Sequence, residues 1–156
     1  VELLGYLRRR YRRATWERAV SGSGLVNIFE FLLERDHASL SAPLQQAMRE
    51  EDHAAVISRF GMQGQDPTAA KALQIFVTLY GAQAGNLALT GLATGGVYLA
   101  GGVAPKIIDK LADGAFMDAF NDKEARMQPL LKAMPVRVIV NPAVGLLGSA
   151  LAAARL

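Results

Sequence analysis

Hydrophobic residues recur at helical spacing through the first half of the chain. An amphipathic helix over the first dozen residues is predicted by Leu3, Leu4, Leu7 and Tyr11. Thr15 is a candidate N-cap for a short second helix, which residues 21–24 (Ser-Gly-Ser-Gly) are expected to stop. A third helix is expected from Leu25 to the polar stretch 34–41, and one or two more within residues 42–64.

The next helix has the clearest start signal in the sequence. Asp66 is a favourable N-cap residue, and Pro67 follows at the first helical position. The backbone N–H at that position has no acceptor within the helix, so proline, which lacks this group, loses no helical hydrogen bond there. Apolar residues then recur at helical spacing down to Gly91. The pattern predicts a long central helix.

Two short apolar runs in the second half are typical of buried strands, at residues 97–100 and 136–140. A helix is expected from Pro105 to about Leu111, and a small-residue helix over 144–154. This alternation is the pattern of parallel α/β structure. We therefore expect the α/β fold class, helix-rich with few parallel strands.

Residues 72–105 contain no Asp, Glu, Lys or Arg, which is a stretch long enough to cross a bilayer. Gln74, Gln83, Asn86 and several glycines interrupt it. The glycines divide it into a piece of helix length and a piece of strand length. We interpret the stretch as buried core and expect no membrane partner.

The composition of the chain limits the kinds of fold and of chemical site that it can form. The chain has 156 residues, of which 51% are hydrophobic, so one domain with a substantial core is expected. The absence of cysteine excludes disulfides, cysteine-bound zinc and thiol catalysis, and we expect a cytoplasmic location. No secretory signal opens the sequence, and the first residue is Val1 rather than methionine, which suggests a fragment.

Five arginines lie within residues 8–13, while the net charge of the chain is only +3. Such a run is either the solvated face of a helix or a phosphate-binding surface for nucleic acid. No zinc-finger spacing accompanies it. We favour the solvated face and expect no nucleic-acid partner. A nucleic-acid-binding module would instead show a steep salt dependence of DNA binding.

The pair Gly101-Gly102 lies just after a predicted strand and just before a helix. It forms either a tight turn or a place where a nucleotide approaches the backbone. Spacing alone favours the turn. The other glycine-rich segment, residues 22–24, lacks the spacing of a dinucleotide-binding fingerprint.

Five other polar side chains offer little independent chemistry. His37 and His53 have no cysteines or compact carboxylate cluster to complete a metal site, so we interpret both as surface residues. Ser23 and Ser149 do not lie in a Gly-x-Ser-x-Gly elbow. Glu17, in a predicted first helical turn, is accounted for by the helix dipole alone.

Three segments, taken in this order, resemble the C-terminal half of bacterial glucokinases. They are TWERAVSGSGLVNIFEFL, GAQAGNLALTGLATGGVYLAGGVAPKI and GAFMDAFNDKEARMQPLLKAMPVRVIVNPAVGLLGSALAA. The resemblance covers nearly the whole chain and is weakest over residues 34–70, which carry no signature. The family's Ala-Phe-x-Asp-Lys stretch appears as residues 119–123.

The resemblance implies an actin-like ATPase (ribonuclease H-like) fold with sugar and ATP between two α/β domains. Residues 1–156 would form the C-terminal part of the large domain. In this family the glutamate before an Arg-x-x-Ser-Gly stretch accepts hydrogen bonds from glucose hydroxyls, and Glu17 is at the matching position. The resemblance further implies that Gly101 and Gly102 adjoin the adenosine of ATP and that Gly145 lines the same pocket. Mg²⁺ is implied by the chemistry.

The family's phosphate loop, general-base aspartate and Glu-x-x-His segment match nothing in these residues, and neither do the N-terminal domain and the first strands. We therefore expect part of an ATP-dependent glucokinase that makes glucose 6-phosphate, inactive as this chain alone. A noncatalytic sugar-sensing or regulatory module of the same fold is the alternative. The partners expected are glucose, ATP and a second copy in a homodimer.

Overall fold

The computed structural model describes residues 2–155, most of them helical. The longer helices are α1 Glu2–Tyr11, α2 Gly22–Asp36, α3 Ala42–Glu50, α4 His53–Met62, α5 Pro67–Gly91 and α9 Val144–Ala153. The shorter elements are α6 Ile108–Leu111, α7 Ala115–Asn121, α8 Gln128–Lys132, and 3₁₀ turns at Trp16–Arg18 and Ala104–Ile107. The strands are β1 Val97–Leu99 and β2 Val136–Val138.

The two strands pair in parallel, as the alternation of elements predicted. Val97 pairs with Val136 and Leu99 with Val138. Both strands are shorter than expected, and the prediction that the first is fully buried was wrong, because Tyr98 is 57% exposed and only Leu99 is buried. A two-stranded sheet leaves one face uncovered by the described helices, so strand residues on that face lie in solvent.

The Ser-Gly-Ser-Gly segment begins a helix rather than separating two. Ser21 is the N-cap of α2, and its Oγ accepts a hydrogen bond from the N–H of Gly24 at 3.0 Å. The expected helix start at Leu25 was therefore wrong by one turn. The short helix expected after Thr15 is only the 3₁₀ turn Trp16–Arg18, and the Thr15 side chain makes no capping hydrogen bond.

Aspartate residues cap the N-termini of α4 and α5. Residues 42–64 form two helices, and Asp52 caps the second by accepting from the N–H of Ala55 at 2.9 Å. The predicted Asp66-Pro67 start is confirmed, since buried Asp66 accepts from the N–H of Ala69 at 2.8 Å. The helix expected from Pro105 begins instead as the 3₁₀ turn Ala104–Ile107.

Helix α5 is central and packs against α2, α4 and α7. Gly81 and Gly85 allow α7 to approach closely, because a Cβ atom at these positions would lie 2.2 Å from the Phe116 carbonyl oxygen and 2.4 Å from that of Phe120. The charge-free stretch is thus core along one face, while Leu87 is 60% exposed. No helix within residues 2–155 has the length and apolar character needed to cross a membrane.

Helix α1 lies beside α2, and its arginines contribute to that packing. Arg10 forms an ion pair with Glu30 at 2.5 Å, and Arg9 approaches Glu34 at 3.8 Å. All four side chains are substantially exposed, so each pair stabilises the helix contact only modestly. These contacts give two of the five clustered arginines a role within the fold.

Candidate functional site

Glu17 lies at the surface, in the 3₁₀ turn between α1 and α2. The turn is closed by backbone hydrogen bonds from Arg18 N to Thr15 O at 3.0 Å and from Ala19 N to Trp16 O at 2.9 Å. Ser21 Oγ donates to the Glu17 carbonyl oxygen at 2.6 Å, which joins the turn to the N-terminus of α2. The main chain of Glu17 is thus fixed while its side chain faces solvent.

A buried asparagine on α2 holds the same turn in place by hydrogen bonds. Asn27 on α2 is 2% exposed, and its Nδ2 donates to the Arg18 carbonyl oxygen at 2.9 Å. Its Oδ1 accepts from the Tyr11 hydroxyl at 2.7 Å. The Arg18 guanidinium stacks over the Tyr11 ring at 4.3 Å from the centroid. These contacts tie the Glu17 turn to both flanking helices, a role that sequence reasoning did not assign to Asn27.

Gly24 allows α2 to approach the backbone just after Glu17. A Cβ atom at residue 24 would lie 2.5 Å from the carbonyl carbon of Ala19 and 2.7 Å from its oxygen. Real side chains do not make contacts this short, so any larger residue must push the turn away from the helix. The sequence signal for this site, a glycine in a predicted loop, was misinterpreted as a helix stop.

Gly24→Ala is therefore expected to lower the free energy of unfolding by about 1–3 kcal/mol, the range for a methyl group forced into a packed contact. Chemical denaturation of the purified chain would measure the change. Gly22→Ala is the matched control, since a Cβ there meets only the Ala54 Cβ at an ordinary 3.6 Å. Equal stability of the two variants would contradict the close approach.

The three glycines predicted to adjoin a nucleotide come together in one cleft. Gly101 and Gly102 after β1, and Gly145 at the start of α9, line a cavity of about 570 Å³ that we call the glycine cleft. Apolar residues form most of the remaining wall, and its polar side chains are Lys106 and Asn141. The cleft lies at the carboxyl ends of both parallel strands, where α/β proteins bind ligands. Glu17 does not line it.

The glycines of the cleft differ in what they require. Gly101 has φ of +106°, a backbone conformation that favours glycine, so the turn interpretation accounts for it. Gly102 and Gly145 have no such φ, and a Cβ at either position would find no atom within 4 Å. Neither the turn nor packing demands glycine there. The absence of side chains at Gly102 and Gly145 therefore leaves open space in the cleft.

The remaining candidates occupy peripheral positions. His37 caps the C-terminus of α2 in the left-handed conformation and is exposed, as is His53 at the start of α4. Ser23 hydrogen bonds with Ser21, and Ser149 donates to the Gly145 carbonyl oxygen. Within residues 2–155, no three histidine, aspartate or glutamate side chains are grouped to hold a metal ion.

The chain thus combines parallel α/β pairing with an open, glycine-lined cleft at its strand ends, which is where ligands bind in α/β proteins as a class. The profile of the family described as Glucokinase matches residues 1–156. The glucokinase of Synechocystis sp. is 45% identical over 99% of this chain and 47% of its own length. The glucokinase of Trichormus variabilis is 42% identical over 99% of this chain and 49% of its own length.

Comparison with solved structures agrees with the profile. The crystal structure of glucokinase from an Antarctic psychrotroph superposes with a TM-score of 0.79 at 26% identity, over 96% of this chain and 43% of that one. The chain belongs to the glucokinase family. It spans about half the length of the curated relatives it matches, 47% and 49% for the two named above.

Proposed function

We propose that this chain is part of an ATP-dependent glucokinase, which transfers the γ-phosphoryl group of ATP to the 6-hydroxyl of D-glucose and forms glucose 6-phosphate. The observation that carries the proposal is the convergence of Gly101, Gly102 and Gly145 on one cleft. At two of these positions neither backbone geometry nor packing calls for glycine. The similarity to proteins named glucokinase supports the choice of reaction.

In this proposal Glu17 binds the sugar and the glycine cleft binds the nucleotide. A carboxylate only accepts hydrogen bonds, and its two oxygens can take neighbouring glucose hydroxyls in charge-assisted contacts. The rigid attachment of the turn to α2 would hold that carboxylate in position without freezing extra side chains on binding. The open space at Gly102 and Gly145 would admit the nucleotide close to the main chain.

Mg²⁺ accompanies ATP in the proposed reaction, where it neutralises the negative charge that develops on the phosphates. The described residues offer no cluster of three acidic or histidine ligands. We therefore assign no residue of this chain to the ion. It would be held chiefly by the phosphates and water, as Mg²⁺ commonly is at such sites.

The proposal also covers the domain to which the chain belongs, its cellular location and its oligomeric state. Residues 1–156 would be the C-terminal part of the large domain of an actin-like ATPase fold, and the enzyme would act in the cytoplasm, where ATP is available. It would be a homodimer, because apolar side chains such as Leu146 at 75% and Val140 at 66% exposure favour burial against a partner.

A coupled assay for glucose 6-phosphate tests the proposed function in a full-length protein that contains this chain. We expect product only when ATP, Mg²⁺ and glucose are all present. Release of phosphate from ATP without glucose is measured in parallel as the control. Glucose binding without phosphoryl transfer would contradict the kinase and support the noncatalytic sugar-sensing module.

A further inference from the structure

The carboxylate of Glu17 receives no direct support from neighbouring side chains. It is exposed, and within residues 2–155 it forms no ion pair and no side-chain hydrogen bond. A side chain moves among its rotamers from the backbone that carries it, so the direction of the carboxylate depends on how the main chain of the turn is held. A residue that holds this main chain affects the carboxylate without contacting it.

Both polar groups of the peptide unit that follows Glu17 are hydrogen bonded. Ser21 Oγ donates to the Glu17 carbonyl oxygen at 2.6 Å, and the N–H of Arg18 donates to the Thr15 carbonyl oxygen at 3.0 Å. The next carbonyl oxygen, that of Arg18, accepts from Asn27 Nδ2 at 2.9 Å. Two consecutive carbonyl groups are therefore held by polar side chains that belong to α2 and its N-cap.

Donors and acceptors leave the Asn27 amide one orientation. A carbonyl oxygen only accepts, so the amide nitrogen of Asn27 must face Arg18. The amide oxygen then faces Tyr11, whose hydroxyl donates its one proton at 2.7 Å. Asn27 is 2% exposed, so water does not compete for either bond. Removing the Tyr11 hydroxyl would leave a buried amide oxygen without its donor, which costs more than the loss of an exposed bond.

Tyr11 links the amide to a separate helix. It is the last residue of α1 and lies 16 positions before Asn27 in the sequence. Its ring also carries the Arg18 guanidinium at 4.3 Å from the centroid. The cation next to Glu17 is thus held over an aromatic ring, and the carboxylate keeps its oxygens available for other donors.

We propose that Asn27 is a positioning residue for sugar binding and that Tyr11 fixes the Asn27 amide for this role. Both residues act through Glu17, by holding the turn so that its carboxylate meets the glucose hydroxyls. The proposal rests on the proposed function, because it takes Glu17 as a ligand of the sugar. Neither Asn27 nor Tyr11 lines the glycine cleft, so the affinity for ATP should not depend on them.

Tyr11→Phe removes the hydroxyl and keeps the ring that stacks with Arg18. In a full-length protein that contains this chain, we expect kcat/KM for glucose to fall about three- to tenfold, the range for one hydrogen bond, through a higher KM. The KM for ATP should change by less than about twofold. Tyr6→Phe is the matched control, because it removes a hydroxyl of the same helix that accepts from Arg10 at 2.9 Å and does not reach the turn.

Asn27→Asp keeps the size of the side chain and removes the donor. A carboxylate oxygen would then face the Arg18 carbonyl oxygen, so we expect kcat/KM for glucose to fall about tenfold or more. A melting curve for each variant shows whether it is folded at the assay temperature. Tyr11→Phe introduces no buried charge, and it decides the test if Asn27→Asp does not fold.

A double-mutant cycle with Glu17→Ala separates positioning from a purely structural role. The Glu17→Ala background has no carboxylate to position, so Tyr11→Phe should lower kcat/KM for glucose there by less than about twofold. The ratio kcat/KM is measured at low glucose, where a high KM does not prevent the measurement. An equal loss in both backgrounds would overturn the proposal, because the network would then support the fold alone.

The outcomes separate the two proposals. If the unmodified protein phosphorylates glucose from ATP but Tyr11→Phe leaves kcat/KM for glucose unchanged, the network does not position Glu17, and the proposed function stands. An equal rise in the KM for ATP and the KM for glucose would also contradict positioning, since it would indicate a general loss of folding. Absence of ATP-dependent phosphorylation in the unmodified protein would contradict the proposed function itself.

Discussion

Glu17→Gln in a full-length protein that contains this chain is expected to raise the KM for glucose about ten- to a hundredfold. Replacing a charged acceptor weakens each sugar hydrogen bond, and a hydrogen bond to a charged group contributes about 1.5–3 kcal/mol. The side chain of Glu17 is exposed and forms no ion pair with a described residue. Folding should therefore be retained, and the KM for ATP should change far less than that for glucose.

Initial rates from the coupled assay, with a melting curve for each variant, would measure both effects. Glu124→Gln is the matched control, because Glu124 is another exposed glutamate and lies in the loop between α7 and α8. An unchanged KM for glucose in Glu17→Gln would show that Glu17 is only a carboxylate in a surface turn. An equal rise in the control variant would point to a general effect of lost negative charge.

Local signals in the sequence were enough to predict the central helix and the parallel pairing. Asp66 and Pro67 specify a helix start through their own backbone chemistry, so no distant contact is needed to place it. The glycines of the cleft were also identifiable, because an apolar strand followed by a glycine pair indicates a strand end. That Gly145 lies in the same cavity was implied only by the family resemblance. The assignment of all three glycines to the nucleotide stays a prediction.

Tertiary contacts decided the features that the sequence did not indicate. In the sequence, Asn27 resembles any polar residue of a helix. Its role becomes visible only in the structure, where it hydrogen bonds to α1 and to the Glu17 turn. Gly24 is required by the backbone of Ala19, a residue whose approach no local pattern predicts. A cavity of about 240 Å³ likewise forms from segments far apart in sequence, namely α2, α4 and the turn Ala104–Ile107. Propensity and periodicity describe each segment alone and contain no information on such contacts.

Helix α9 is a second case in which the sequence predicts an element but not its tertiary contacts. The sequence predicted a small-residue helix over residues 144–154, and the helix is confirmed at Val144–Ala153. None of its residues is buried, however, and Leu146, Leu147 and Leu151 are more than half exposed. Apolar periodicity identifies a face that favours burial, but not the surface that covers it.

This chain alone is expected to show no glucokinase activity, the largest effect that we predict. Phosphoryl transfer depends on holding the nucleotide phosphates, the metal and a base around the substrate in one geometry. The phosphate loop and general-base aspartate implied by the family resemblance match none of the 156 residues. The Glu17 contacts must also overcome an association cost of at least about 4 kcal/mol, so glucose affinity should be poor as well.

The test uses the coupled assay on chain whose mass is confirmed as residues 1–156, beside a full-length protein that contains it as the positive control. Light scattering on the same samples should find dimers or larger species, because the exposed leucines of α9 favour association with a second copy. Measuring turnover across a range of chain concentrations removes association as the cause of inactivity. Robust turnover by the confirmed chain would place the catalytic groups within these residues and contradict the division of roles between Glu17, the glycine cleft and the absent motifs.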